Sequence, residues 1–136
     1  MGFRAGIVRF GVSLDGGLLR RFDDFLDTEG YASRSQALAA LIRKEFVSKE
    51  FAAGGQVIGA ITLVYDHHKG EVVNKLLDIQ HEHGKMIITS QHVHLDHNNC
   101  LEIVSVRGSG RKVKALADAL KSVKGVKHAT LGVTGA

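Results

Sequence analysis

The chain has 136 residues, a formal net charge of +4, 44% apolar residues, no proline and one cysteine. That leaves room for one domain or two very small ones. A single cysteine excludes an intrachain disulfide and points to a reducing, cytoplasmic setting. No apolar run approaches the roughly 18 residues of a membrane helix, and no signal-peptide pattern opens the chain, so no membrane role is expected. The positive balance is thinly spread, with eight Lys/Arg against seven Asp/Glu in residues 1–50 and ten against seven beyond. A nucleic-acid role must therefore rest on motif geometry, because net charge singles out neither half.

Met1 to Gly6 reads as a short arm carrying Arg4. From Val8 onward the chain alternates, with Val8, Phe10, Val12 and Leu14 on one face of a predicted strand and Arg9, Gly11 and Ser13 on the other. Asp15 fits a helix N-cap, Leu18, Leu19, Phe22, Phe25 and Leu26 form one apolar stripe, and Gly30 ends the helix. Ser33-Arg34-Ser35-Gln36 matches a capping box that opens a second helix with Ala37, Leu38, Leu41, Ile42 and Phe46 as its stripe.

A strand–helix–helix unit of 50 residues cannot satisfy a lone strand or bury both stripes by itself. It is expected to dimerise by pairing two strands into an antiparallel ribbon. Two copies of Arg9, Gly11 and Ser13 would then face a DNA major groove, where arginine reads guanine edges and glycine permits close approach. The helix N-terminus at Ser33, Arg34 and Ser35 could hold phosphates. The bland alternative is that Arg9 and Ser13 form the solvated face of an edge strand. This pattern resembles the ribbon–helix–helix fold of bacterial repressors.

Phe51 to Gly55 breaks both periodicities and reads as a hinge. A largely buried strand follows at Val57–Tyr65, then a helix at Glu71–His83 stopped by Gly84. A strand hairpin comes next, followed by a helix over Arg111–Val123 and a last strand over Val126–Val133. The order βαββαβ is that of the ferredoxin-like split motif, as in small regulatory ACT domains. The expected fold class is therefore α+β. A ribbon–helix–helix domain over 1–50 and a hinge over 51–56 precede an ACT-like domain over 57–136.

Chemistry concentrates in the hairpin. Five of the eight histidines and the only cysteine lie between positions 81 and 100. His92 and His94 are two apart and share one strand face, and a turn over Leu95–Asn99 would fold Cys100 back beside them. A thiolate among imidazoles suits a late first-row metal and does not suit magnesium or calcium. Three ligands on one hairpin leave the fourth to come from elsewhere. His67, His68 and His128 take the default reading of surface or packed residues, and the basic residues from 107 to 114 that of a solvated helix start. A nucleophilic cysteine would need an orienting group and an oxyanion hole, for which no local signature exists.

The whole arrangement resembles the nickel-responsive transcriptional regulators of the NikR family. The resemblance is carried by the strand–helix–helix start and by His92-Val93-His94, His97 and Cys100-Leu101-Glu102, with Ile79-Gln80-His81 upstream. It implies a homotetramer, a dimer of dimers, with one Ni(II) per chain held by His92, His94 and Cys100 of one subunit and His81 of its neighbour. It also implies repression of nickel-uptake genes through double-stranded operator DNA. Gln80, Glu102 and Tyr65 are candidates for hydrogen bonds that orient the ligands. Gln36 and Ala40 stand where the family carries acidic residues for a second, hard cation, so that site is not carried over.

Three rivals remain. One is a regulator of the same architecture answering to cobalt, copper or zinc. The second is a small-molecule regulator or antitoxin, which would leave the His/Cys cluster idle. The third is a metalloenzyme, which would need an open coordination position and a placed general base. Four protein ligands would leave neither a free in-plane position nor an obvious role for a substrate, so no enzyme is expected.

Overall fold

A computed structural model describes residues 6–135, and the expected arm over Met1–Ala5 lies outside them. By its contacts the chain divides into two compact units, Met1–Leu41 and Ile42–Ala136. In the first, α1 spans Gly16–Glu29. The Asp15 carboxylate caps it by accepting from Leu18 N at 2.9 Å. Gly30, at φ 77°, ends it by donating its N–H to Leu26 O. That left-handed conformation is one glycine adopts without a Cβ penalty. The second helix, α2, spans Arg34–Ala52. Its start is closed from both sides: Ser33 Oγ accepts from Gln36 N at 3.1 Å, and Gln36 Oε1 accepts from Ala32 N at 2.7 Å.

The strand expected over residues 7–14 does not form within one chain, and those residues belong to no helix or strand. A strand exists by bonding to a neighbour, and a single chain offers none here. Ile7, Val8, Phe10, Val12 and Leu14 are all exposed, while among the described residues of this unit only Leu26 and Ala37 are buried.

The second unit is built from β1 (Gln56–Asp66), α3 (Gly70–Glu82), β2 (Ile87–His94), β3 (Asn99–Ser109), α4 (Gly110–Lys121) and β4 (Val126–Thr134). The strands form one antiparallel sheet in the order β2-β3-β1-β4. This is the ACT-like βαββαβ arrangement the sequence predicts.

Alternation decides which face is covered. Val57, Ile61, Leu63 and Tyr65 of β1 and Cys100, Glu102, Val104 and Val106 of β3 are buried. They share the core with Val72 and Leu76 of α3 and Val113, Leu116 and Leu120 of α4. Each fully buried Ile, Leu or Val contributes about 1.5–3 kcal/mol relative to exposure. The opposite face, including Ile58, Val64, Leu101 and Ile103, is half-exposed.

The segment expected as a hinge is tied to this unit by several bonds. Gly55 N donates to Glu50 O at 2.7 Å, and Gly110 N donates to Gly55 O at 2.8 Å. Phe51 packs against the core. A Cβ on Gly110 would sit 2.6 Å from Phe51 O, so glycine alone lets α4 start there.

Candidate metal centre

Strand register assembles the site. Cys100 of β3 lies opposite Tyr65 on β1 and opposite His94 on β2, and one row along, Glu102 lies opposite His92. Residues two apart share a face, so Cys100, Glu102, His92, His94 and Tyr65 all belong to the helix-covered side. Cys100 is only 2% exposed, and its Sγ lies 3.9 Å from His92 Nδ1. Two donors at first-row metal distances of about 2.0–2.3 Å stand about 3.1 Å apart in adjacent positions and about 4.4 Å apart in opposite ones. The observed separation falls between, so the pair fits a shared soft metal with a small adjustment.

Glu102 organises the surroundings. It is 2% exposed and accepts from Tyr65 Oη at 2.9 Å, Gln80 Nε2 at 2.9 Å and Ser90 Oγ at 2.8 Å. A buried carboxylate is costly unless such donors satisfy it. Its Oε2 also lies 3.6 Å from His92 Nε2. With Nε2 on the carboxylate side, Nδ1 is the nitrogen that faces the thiol, 3.9 Å away, and the Tyr65 hydroxyl, 3.4 Å away. Burial, with the Glu102 charge and hydrogen bond behind it, pushes the Tyr65 phenol far above its ordinary value. Tyr65 therefore stays a proton donor to Glu102.

Tyr65, Gln80 and Glu102, singled out from the sequence, thus meet in one network beside His92. Ser90 was missed. Its signal was the alternation itself, since Ser90, His92 and His94 are successive residues on one face of β2. His94, opposite Cys100 in register, has its ring centroid 4.7 Å from that of His67. His81 sits exposed in the last turn of α3. Among the described residues, no three His, Cys, Asp or Glu side chains converge into a metal cage within one chain. Within one chain the structure brings His92 and Cys100 together, and neither His94 nor His81 completes a cage with them.

The expected DNA-facing residues Arg9, Gly11 and Ser13 are exposed. Ser33 spends its hydroxyl on the Gln36 amide, and Ser35 is exposed in the first turn of α2. Arg34 forms two bonds to Asp23, Nε to Oδ1 at 2.8 Å and Nη2 to Oδ2 at 2.9 Å, and this hydrogen-bonded pairing holds the Asp23 carboxyl below its ordinary value.

The βαββαβ sheet is that of ACT-like regulatory domains, and it carries a thiol, imidazoles and a buried carboxylate at one end. Comparison with known proteins makes this specific. Residues 58–134 match the NikR C-terminal nickel-binding domain. A relative from Chlorobium phaeobacteroides is 52% identical over 130 residues, covering 96% of this chain and 97% of that one. Another from Syntrophus aciditrophicus is 50% identical over 129 residues, covering 95% and 94%. A third, from Pyrococcus furiosus, is 48% identical over 130 residues, covering 95% and 94%. All three carry the provisional name nickel-responsive regulator. An uncharacterised protein of Thermotoga maritima shares the fold, with a TM-score of 0.53 at 13% identity over 57% of this chain and 96% of that one. The chain belongs to the NikR family. It is a nickel-binding regulator and not an enzyme.

Proposed function

We propose that this protein is a nickel-dependent transcriptional repressor whose His92, His94 and Cys100, with His81 of the partner subunit, hold one Ni(II) per chain. The observation that carries this reading is the pairing of Cys100 Sγ with His92 Nδ1 at 3.9 Å, with His92 Nε2 turned toward buried Glu102. Three imidazoles and a thiolate suit a four-coordinate nickel site. Raw affinity favours copper over nickel, so selectivity must act through geometry.

The division of labour follows from the chain. Residues 1–50 act as the DNA-binding unit, 51–56 join it to the rest, and 57–136 form the sensing and tetramerisation domain. Exposed Val8, Phe10, Val12 and Leu14 support pairing of two copies into a ribbon, because apolar side chains in such a row gain by leaving water together. That ribbon offers Arg9, Gly11 and Ser13 to operator bases, with Ser33, Arg34 and Ser35 beside the phosphates. Holding metal across subunits makes the DNA-competent arrangement of a dimer of dimers the more populated one. A reducing cytoplasm keeps the single thiol available. Among the described residues, no helix is long and apolar enough to cross a membrane.

The test is a nickel titration of purified protein followed by absorption, with cobalt, copper and zinc alongside, and then selection from a random duplex DNA pool. The expected result is a thiolate-to-metal band at one nickel per chain, and enrichment of paired half-sites with nickel but not with chelator. A band without nickel-dependent enrichment would overturn the repressor reading. Enrichment driven equally by zinc would transfer the sensing role to another metal.

A further inference from the structure

Small residues leave a gap between α4 and the edge strand β4. The fully buried Val113, Leu116 and Leu120 seat α4 on the sheet. Ala117 of α4 and Ala129 of β4 line the gap with little more than a methyl group each, together with fully buried Ile61 of β1. Half-buried Phe51, Leu131 and Val133 complete its apolar lining. The result is a cavity of about 290 Å³. Close-packed interiors keep few voids larger than a water molecule, and this one stands at the lower edge of the roughly 300–1,000 Å³ of ligand pockets. Its size suits a small molecule.

The charge beside it is one-sided. Apart from Thr130, the polar side chains lining the cavity are Lys114, Asp118 and Lys121, which follow one another along a single stripe of α4. Lys114 Nζ donates to Asp118 Oδ2 at 2.6 Å, so those two charges answer each other. Among the described residues Lys121 has no acidic partner. An apolar cavity therefore carries one uncompensated cation. A phosphate calls for several donors, whereas a lysine ammonium is a single point charge that matches one carboxylate.

We propose that this cavity binds a small aliphatic carboxylate, with its chain among Phe51, Leu131 and Val133 and its carboxylate beside Lys121. Each methylene it takes out of water adds to the affinity. Phe51 lies in the last turn of α2 and Leu131 in β4, so one occupant fastens the end of that helix to the sheet edge. None of the proposed nickel ligands lines the cavity, and this site stands whether or not the nickel-centre reading above holds.

The experiment is equilibrium dialysis of labelled hexanoate against the full-length, nickel-loaded protein. Saturable binding of about one hexanoate per chain is expected. Acetate, which lacks most of the tail, should compete at least tenfold less well, and hexylamine, with the tail but the opposite charge, less well than hexanoate. Lys121→Gln should weaken hexanoate binding by about threefold to fivefold, the range of a solvent-exposed ion pair. Ala129→Phe, which fills the cavity, should abolish it and leave the nickel titration unchanged. Absence of saturable binding, acetate competing as well as hexanoate, or full binding by Ala129→Phe would overturn the site. Equal competition by hexylamine, or unchanged binding by Lys121→Gln, would overturn the carboxylate assignment. If Ala129→Phe loses its native circular dichroism, Val133→Asp near the end of β4 replaces it by setting a like charge against the ligand: a loss of tenfold or more supports the site, and equal binding overturns it.

Discussion

Gln80 and His81 are neighbours in α3, yet their side chains serve different places. Gln80 Nε2 reaches Glu102 inside its own chain at 2.9 Å, while His81 is exposed. Consecutive helical residues point about 100° apart, so a helix that sends Gln80 inward turns His81 outward. This is the geometry a subunit-bridging ligand needs. Mixing His81→Ala chains with Cys100→Ala chains should then restore one complete site at each mixed interface. Native-like thiolate absorption at limiting nickel is expected only in the mixture. No recovery, with mixed tetramers proven by native mass spectrometry, would place His81 outside a shared site.

Cys100→Ala should abolish the charge-transfer band and weaken nickel binding, because the thiolate is the source of that transition and its proton is released on metal binding. An unchanged spectrum in this variant would remove the cysteine from the centre.

Glu102→Gln keeps the shape but replaces an acceptor-only group with one that also donates. Tyr65, Gln80 and Ser90 cannot all remain satisfied, so unfolding stability should fall by about 1–3 kcal/mol. With the orienting charge beside His92 gone, nickel affinity should fall by about 10–100-fold. Urea denaturation and a chelator competition measure the two effects. Unchanged nickel affinity alongside lost stability would confine Glu102 to the fold.

Arg9→Ala should cost about 1–3 kcal/mol of specific DNA binding for each base that Arg9 no longer reads. Nickel titration should be unaffected, since the proposed metal ligands lie in the other unit. Retention measured on selected sites and on random duplex decides the role: equal weakening on both would make Arg9 a phosphate-binding residue.

Arg34 holds the Asp23 carboxyl below its ordinary value. A depressed folded-state value means the pair stabilises above the unfolded value of about 3.9, and that this contribution fades as pH falls through the lower folded value. Asp23→Asn should therefore lower the melting temperature slightly at pH 7, and the gap from wild type should close in acid. Both groups are solvent-exposed, so added salt should also narrow it. A gap that widens in acid would contradict the pairing.

Much of this protein is legible in one dimension. Asp15, Gly30 and the Ser33/Gln36 box mark helix ends because capping is local chemistry, satisfied within four residues along the chain. Period-two alternation places Cys100, Glu102, His92 and His94 on one side of a hairpin for the same reason. What needed the tertiary structure were meetings between residues far apart in the chain. Ser90 joins Glu102 only through the β2–β3 register, and His67 and His68 meet His94 and His97 only because Asp66 pairs with Asn99. The predicted first strand stands apart from both cases. Its alternation is plain in the sequence, but one chain supplies no neighbour to bond it, so residues 7–14 form no strand here. A helix satisfies its backbone from within, whereas a strand takes its hydrogen bonds from another segment.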